Sequence, residues 1–381
     1  MKKIAIITPG FLPVPAINGG AVETLINNLI DLNEISHSFK FDIITINSNF
    51  KYNYYYSNII NVSIPKVFLF LEKIINRLLK VFNINFIFHF YDILSVKKVC
   101  NSKDYDSIII ENNMYAYYFF KKIYKSHSKV LFHLHNSVGD RDKPLWLCNY
   151  ISNTADKVLT VSDFLRLDFM QKTGCDRVYT FYNCIDLKQR FCNKNIYDKN
   201  ENIIKFLYVG RFSKEKGLIE LINAFNKLSQ KHKNCKLLIV GDNSSNDKYT
   251  NIVKNKSINN ENIEFLGYVN HTTIVEIYNK VDVVVIPSIC NEAFGLTALE
   301  ALSCFKPVIA SKRGGLVEVV DNFGILVESS DFIDNLYNAM EKMIDINIRL
   351  YYINMIKKNI DKLKKYDLND YLDNFIKIIN M

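Results

Sequence analysis

The sequence predicts an α/β protein made of two doubly wound domains, each a parallel sheet with helices on both faces. Three observations predict it. Short apolar, β-branched runs such as Tyr105–Glu111, Cys235–Val240 and Val281–Ser288 lack the alternation of a half-exposed strand; this is how strands buried on both faces read. Stretches with helical spacing lie between these runs, as in βαβ units. A polar, aperiodic stretch, residues 188–202 (KQRFCNKNIYDKNEN), breaks the alternation near mid-chain, and the alternation restarts after it. Residues 1–187 and 188–365 are the expected domains.

In the first domain, Lys3–Ile7 opens the sheet. The loop from Pro9 to Gly20 ends in Gly19 and Gly20, and a helix over Ala21–Leu32 follows, with Val22, Leu25, Ile26, Leu29 and Ile30 on one face. Such a loop lets backbone approach a ligand closely; a plain flexible loop would read the same way. Phe41–Ile46 is the second strand. Val67–Phe82 (VFLFLEKIINRLLKVF) has Leu71, Ile74, Ile75, Leu78, Leu79 and Phe82 at helical spacing, and Lys73, Asn76, Arg77 and Lys80 on the other side. Residues 51–100 hold seven Lys and Arg against two Asp and Glu. A basic amphipathic helix of this kind can lie in an anionic membrane interface, and equally can face a core and leave its basic side solvated. Tyr105–Glu111 and Lys129–Leu134 are further buried strands. The second ends at His135, placed where open α/β sheets bind ligands, with His133 expected to point to the core or to a neighbour; a hydrogen-bonded histidine at a strand end is the alternative. Lys157–Val161 is a strand, and Ser162 caps the helix after it.

In the second domain, a strand over Ile203–Val209 ends in Gly210-Arg211-Phe212-Ser213-Lys214-Glu215-Lys216-Gly217, and a helix starts at Leu218. Arg211 and Lys216 bring two cations to the carboxyl edge of the sheet. Arginine grips phosphate through two N–H groups and lysine supplies a point charge. Cys235–Val240 ends at Gly241, and Ile263–Leu266 ends at Gly267-Tyr268-Val269. Val281–Ser288 leads into Asn291–Leu302 (NEAFGLTALEAL), a small-residue turn and a helix start. The unpaired N–H groups of that helix start favour an anion. Two carboxylates, Glu292 and Glu300, frame the turn and can accept hydrogen bonds from hydroxyl groups. Phosphate flanked by hydroxyls describes a nucleotide sugar. Without a ligand, the same stretch reads as a strand-to-helix turn capped by Thr297 with surface glutamates. Pro307–Ala310 and Phe323–Val327 complete the sheet, separated by Arg313-Gly314-Gly315, whose glycines serve backbone conformation. Residues 366–379 return to helical spacing through Leu368, Tyr371, Leu372, Phe375 and Ile376.

Composition excludes several classes. Of 381 residues, 49% are hydrophobic and 23% charged, which is globular. The net charge of +9 suits an acidic partner such as a diphosphate or an anionic bilayer, while no basic block interleaved with aromatics marks a nucleic-acid surface. Eight cysteines contain no C-x-x-C pair, so a zinc site and a disulfide scaffold are not expected, and the thiols read as reduced and cytoplasmic. The first residues, MKKIAIITPG, are too short in apolar content for a signal peptide, and no run of eighteen apolar residues predicts a transmembrane helix. The expected location is cytoplasmic, with 67–82 a candidate contact to the inner face of the membrane.

Glu292–Glu300 (EAFGLTALE) resembles the E-x7-E signature of retaining glycosyltransferase family 4, of the bacterial cell-surface polysaccharide type, with the GT-B fold of two Rossmann-like domains facing across a cleft. Gly210-Arg211 through Lys216-Gly217 is similar to the family's G-R-x-x-x-x-K-G diphosphate pattern. Gly19-Gly20 resembles its N-terminal loop, Arg313–Glu318 its G-G-x-x-E turn, and Tyr179–Asp186 its V-x-x-N-G-x-D segment, with Cys184 in place of the usual glycine. Ser38–Phe41 departs from the family's G-H-x-V step. The resemblance implies transfer of a hexose or N-acetylhexosamine from a nucleoside-diphosphate sugar, UDP-sugar first and GDP-mannose next, to a saccharide or lipid-linked saccharide acceptor in capsule, exopolysaccharide or lipopolysaccharide assembly. It places Arg211 and Lys216 on the diphosphate, Glu292 on the sugar hydroxyls, Glu300 on the ribose and His135 over the donor sugar. Gly19, Gly20, Gly210, Gly241, Tyr268, Val269, Phe294, Gly295, Leu296 and Thr297 line the donor, with the base near Tyr268 and Val269. It also brings the 366–381 helix back onto the first domain. No D-x-D pair suits a metal, so neither metal nor cofactor is expected. A non-catalytic nucleotide-sugar-binding partner of another transferase is the alternative; its mark would be loss of Arg211, Lys216 or Glu292, and all three are present.

Overall fold

The computed structural model describes every residue except 18, 48–52, 85, 103, 125–126, 140–142, 188–202, 242–246 and 271–272. The polar stretch at 188–202 therefore lies outside the described residues. The chain forms two α/β units, one of Met1–Cys184 with Asn369–Met381 and one of Ile185–Leu368.

Seven parallel strands build the first unit: β1 (Lys2–Ile7), β2 (Phe39–Ile46), β3 (Ser57–Val62), β4 (Ser107–Glu111), β5 (Lys129–Leu134), β6 (Lys157–Thr160) and β7 (Val178–Thr180), in the order β3-β2-β1-β4-β5-β6-β7. The non-alternating runs are central strands. Ile4–Ile7, Ile108–Ile110 and Val130–Leu134 are buried throughout because helices cover both faces. Edge strand β3 (SNIINV) is half-exposed, and neither its composition nor its period announced it. Ser162 caps the helix Asp163–Thr173 by accepting from the Leu165 N–H, and Gly174 ends that helix in the left-handed region.

Helix Lys66–Val81 differs from its neighbours: it contains no buried residue. The core-facing alternative for this segment is thereby overturned on its apolar side. Its inward contacts are made by half-buried residues only.

The helix Leu368–Asn380 belongs to the first unit. Phe375 is buried against the rings of Phe39, Phe41 and Phe181, Tyr371 stacks on Phe181, and Lys157 Nζ donates to the Ile378 carbonyl at 2.6 Å. A side chain like Phe375 contributes about 1.5–3 kcal/mol through burial.

Six parallel strands build the second unit: β8 (Ile204–Val209), β9 (Cys235–Val240), β10 (Ile263–Gly267), β11 (Val283–Ile286), β12 (Val308–Ser311) and β13 (Gly324–Val327), in the order β10-β9-β8-β11-β12-β13. In each unit the strand order reverses beside its first strand, between β1 and β4 and between β8 and β11. The carboxyl edge at such a reversal opens a crevice, because the connecting helices leave it to opposite faces. Ile185, where the second unit begins, bridges to Asp367, one residue before it ends; its N–H donates to the Tyr366 carbonyl and its carbonyl accepts from the Leu368 N–H. The described cysteines are all free thiols, and among described residues no helix is long and apolar enough to cross a membrane.

Candidate functional site

The second unit gathers its chemistry at the β8/β11 reversal. After β8 the chain turns through Gly210 and Arg211 into a short 3-10 turn, Lys214–Lys216, closed by Gly217 with φ +68°. After β11 it runs through Ser288 to Glu292 and then Gly295 (φ +114°), which stands at the start of helix Leu296–Ser303. The two loops are tied together: the N–H groups of Ile289 and Cys290 donate to the Glu215 carbonyl. A Cβ on Gly217 would lie 1.8 Å from the Pro287 carbonyl oxygen, so only glycine permits this approach. The β12 loop closes in from the other side. Gly315 N–H donates to the Glu292 carbonyl at 2.7 Å, and a Cβ on Gly314 would meet that oxygen at 2.2 Å. The paired glycines thus hold the Glu292 backbone.

Lys216 Nζ meets Glu292 Oε1 at 2.6 Å, and the Ser288 hydroxyl donates to the same oxygen. Both charged side chains are largely buried, so solvent screens the pair less than it would a surface pair. Arg211 is different: its side chain is 79% exposed and its only near carboxylate among described residues is Glu215, at 3.6 Å. It stands over the turn as an open cation. Glu300 is buried on the second turn of helix Leu296–Ser303, where the Tyr278 hydroxyl donates to its Oε2 at 2.8 Å. Burial first, and the nearby Glu300 charge second, hold the Tyr278 hydroxyl protonated far above the usual range.

Along the same edge, Gly210 and Gly241 end adjacent strands, and Gly241 N–H donates to the Gly267 carbonyl. Tyr268 follows as an exposed ring and Val269 is half-buried. Leu296 and Thr297 are half-exposed at the helix start. Thr297 does not cap this helix: Gly295 holds the capping position, with no side-chain bond, which overturns the capped-turn reading. The Phe294 ring turns into the core against Tyr366, 5.2 Å between centroids, so this residue offers only its main chain to a ligand.

His135, Gly19 and Gly20 belong to the first unit: Gly19 and Gly20 close the loop after β1, and His135 follows β5. Gly20 (φ +100°) starts helix Ala21–Ser36, and a Cβ there would collide with the Glu23 carboxylate at 2.2 Å. Glu23 is buried, and burial first, with Glu111 adding repulsion, raises its pKa. His135 is buried rather than open. Its Nε2 and Nδ1 of His133 both lie on Glu111 Oε2, at 2.7 and 2.9 Å, and 3.2 Å from each other. His133 thus points to a neighbour as well as to the core: it meets Glu111 of the adjacent strand β4, and its ring lies 5.5 Å from that of Phe181. Burial pushes the His135 imidazole down to about 4, with the His133 ring acting the same way and Glu111 opposing. Burial alone would raise Glu111; the two histidines outweigh it and hold the carboxyl at about 2. The same three groups could approach one cation; as they stand, both ring nitrogens lie within hydrogen-bond distance of Glu111 Oε2 and of each other, with the donor at each contact set by the tautomers.

Sequence reasoning passed over Ser288, Tyr278, Glu111 and His133 as participants. For Glu111 the signal was present: a carboxylate ending an apolar strand occupies the same kind of position that singled out His135.

The chain is similar to an uncharacterised glycosyltransferase of Methanocaldococcus jannaschii, 30% identical over 255 residues, covering 61% of this chain and 64% of that one. It is similar to the lipopolysaccharide 1,2-N-acetylglucosaminetransferase of Salmonella typhimurium, 26% identical over 239 residues and 60% of each chain. The matches span 59–64% of the length of the first curated relatives. Among solved structures, an Anabaena protein in complex with UDP-glucose superposes with a TM-score of 0.70 at 19% identity, covering 100% of both chains, which shows the shared two-domain fold of the GT-B type. Residues 189–362, in the unit that carries Arg211, Lys216 and Glu292, match the family described as glycosyl transferases group 1.

Proposed function

We propose that this chain is a retaining glycosyltransferase of family 4 type. It moves a hexose or N-acetylhexosamine from a nucleoside-diphosphate sugar, UDP-sugar in first place, to a saccharide acceptor carried on a lipid, in cell-surface polysaccharide assembly. The observation that carries this reading is the Lys216–Glu292 pair, 2.6 Å apart, beside open Arg211 and the amides that start helix Leu296–Ser303. The names of the Methanocaldococcus and Salmonella relatives support the reaction class, and the Salmonella name supports a polysaccharide acceptor. The UDP-glucose held by the Anabaena fold relative supports the donor choice.

The chemical problem is charge on the leaving group. As the bond from the anomeric carbon to the diphosphate breaks, negative charge grows on the phosphate oxygens and the sugar becomes oxocarbenium-like. Fixed cations and N–H groups aimed at those oxygens lower the barrier, each by about 3–4 kcal/mol. Arg211, Lys216 and the amides around Gly295–Thr297 fill that role. Glu292, held in place by Lys216 and the Ser288 hydroxyl, accepts sugar hydroxyls and orients the ring. Glu300 takes the ribose, and the turns at Gly210, Gly241 and Tyr268–Val269 take the base. The reaction so drawn uses no metal or cofactor.

The test is a thermal-shift series with UDP, GDP, ADP, dTDP and their sugars in chelator, followed by transfer to a saccharide acceptor with NMR assignment of the product's anomeric configuration. A selective shift plus a product of retained configuration supports the proposal, because a ligand of the native state must stabilise it. A selective shift with no turnover on any acceptor turns the reading to a nucleotide-sugar-binding partner. An inverted product sinks the retaining assignment.

A further inference from the structure

Helix Lys66–Val81 is held to the first unit by one side only. Glu72 accepts from the Phe90 N–H and pairs with His89 Nδ1, each at 2.9 Å. Asn76 donates to the Phe88 carbonyl and accepts from its N–H, both at 2.8 Å. Phe68 stacks on Phe90. On an α-helix at about 100° per residue, Phe70, Val81, Ile74, Val67, Leu78 and Leu71 fall in one arc of about 100°, clear of these anchors. All six are exposed, Phe70 and Val67 by about two thirds, and Phe82 and Ile84 extend the apolar surface beyond the helix end. Lys66, Lys73, Arg77 and Lys80 fall in the neighbouring arc, exposed as well. Around the helix the order is therefore anchor, bare apolar face, cations.

We propose that this face docks on an anionic lipid bilayer, with the helix lying in the plane of the interface. Charge complementarity selects this occupant. A bilayer presents acyl chains and, beside them, anionic headgroups, so an apolar arc flanked by four cations meets both at once. A second copy of the chain would cover the apolar arc but set two rows of cations near each other, at a cost in repulsion. Docking is not passive with respect to the fold. Glu72, on the helix, holds His89, and the ring of Phe11, exposed on the glycine-ended loop, stands edge-on to His89 at 6.1 Å. The bilayer contact is thus joined through Glu72 and His89 to the loop that leads into Gly19 and Gly20. The proposal stands on this face alone, whether or not the chain transfers sugar.

The test is flotation of the full chain with vesicles of equal parts phosphatidylglycerol and phosphatidylcholine, and with phosphatidylcholine alone. Expected is binding to the anionic vesicles at low salt, weaker by more than about tenfold on neutral vesicles and at about 0.5 M salt. A Lys73→Glu/Arg77→Glu double variant and a Leu78→Ser/Val81→Ser double variant lose it, with unchanged melting temperatures because all four side chains are exposed. A Phe70→Trp variant, whose own fluorescence is read against brominated lipid, shows quenching on the anionic vesicles. Absence of flotation and quenching, or flotation equal in the double variants, overturns the proposal. So does a wild-type dimer in light scattering that Leu78→Ser/Val81→Ser abolishes, which gives the face to a second copy.

Discussion

Glu292 is the residue on which the loops of the second unit converge. Two donors, Lys216 and Ser288, share one of its oxygens, and Gly315 holds its carbonyl. Replacing it with alanine should lower transfer by at least about 100-fold, in the range of losing a group that acts in the transition state. Binding of the nucleoside diphosphate, read by calorimetry, should stay within a few-fold of wild type; equal loss of both would end its assignment to the sugar. In the first unit, His135 makes a prediction about pH. Its folded pKa, about 4, lies below the ordinary 6.5, so the unfolded chain takes up its proton first, and stability falls as pH drops from 6.5 towards 4. Glu111, lowered from 4.5 to about 2, extends the loss below pH 4.5. Between pH 6.5 and 5 the His135 part amounts to about 2 kcal/mol. Urea denaturation at the two pH values should show it, and His135→Gln should flatten that interval; an unflattened profile would assign the dependence elsewhere. The carboxylate that organises these histidines lies 24 residues before His135, and no local pattern links them. Parallel pairing of β4 with β5 does, by setting Glu111 beside His133.

At the scale of elements, the turns are as decisive as the strands. Gly217 combines a left-handed φ with a backbone oxygen 1.8 Å from any Cβ. Gly217→Ala should therefore cost about 2–4 kcal/mol, the sum of a strained backbone and an overpacked contact, and should also reduce the thermal shift given by a nucleotide, because the loops carrying Lys216 and Glu292 would part. A melt within about 0.5 kcal/mol of wild type would refute this. The central strands were legible because burial on both faces leaves an unbroken apolar signature, and their ends because glycine, arginine or histidine interrupts it. Edge strand β3 was not, since a strand open on one edge needs no such run, and helix Phe90–Asn101, which packs on β2 and β3, mixes Asp92 and Ser95 into its buried face. At the site, Arg211, Lys216, Glu292 and Glu300 stood out through spacing, whereas Ser288 and Tyr278 carry no spacing and are found only by what they touch. Phe294 shows the converse: a residue inside a motif whose ring serves the core.

At the scale of the molecule, the first unit is finished by the last helix of the described chain. Phe375 fills a pocket of Phe39, Phe41 and Phe181, so Phe375→Ala should destabilise that unit by about 3–5 kcal/mol. The check is a urea profile in which the first unit's transition moves and that of residues 185–368 does not. The bridge from Ile185 to Asp367 joins the two places where the chain passes between units, so the second unit is, in connectivity, a single insert with its ends pinned side by side. On the ribosome this fixes an order of events. The first 184 residues emerge early but lack their closing helix, and the insert, synthesised later, can complete its own sheet sooner. Until residues 369–380 are made, the rings of Phe39, Phe41 and Phe181 lack the cover that Phe375 gives them in the folded chain.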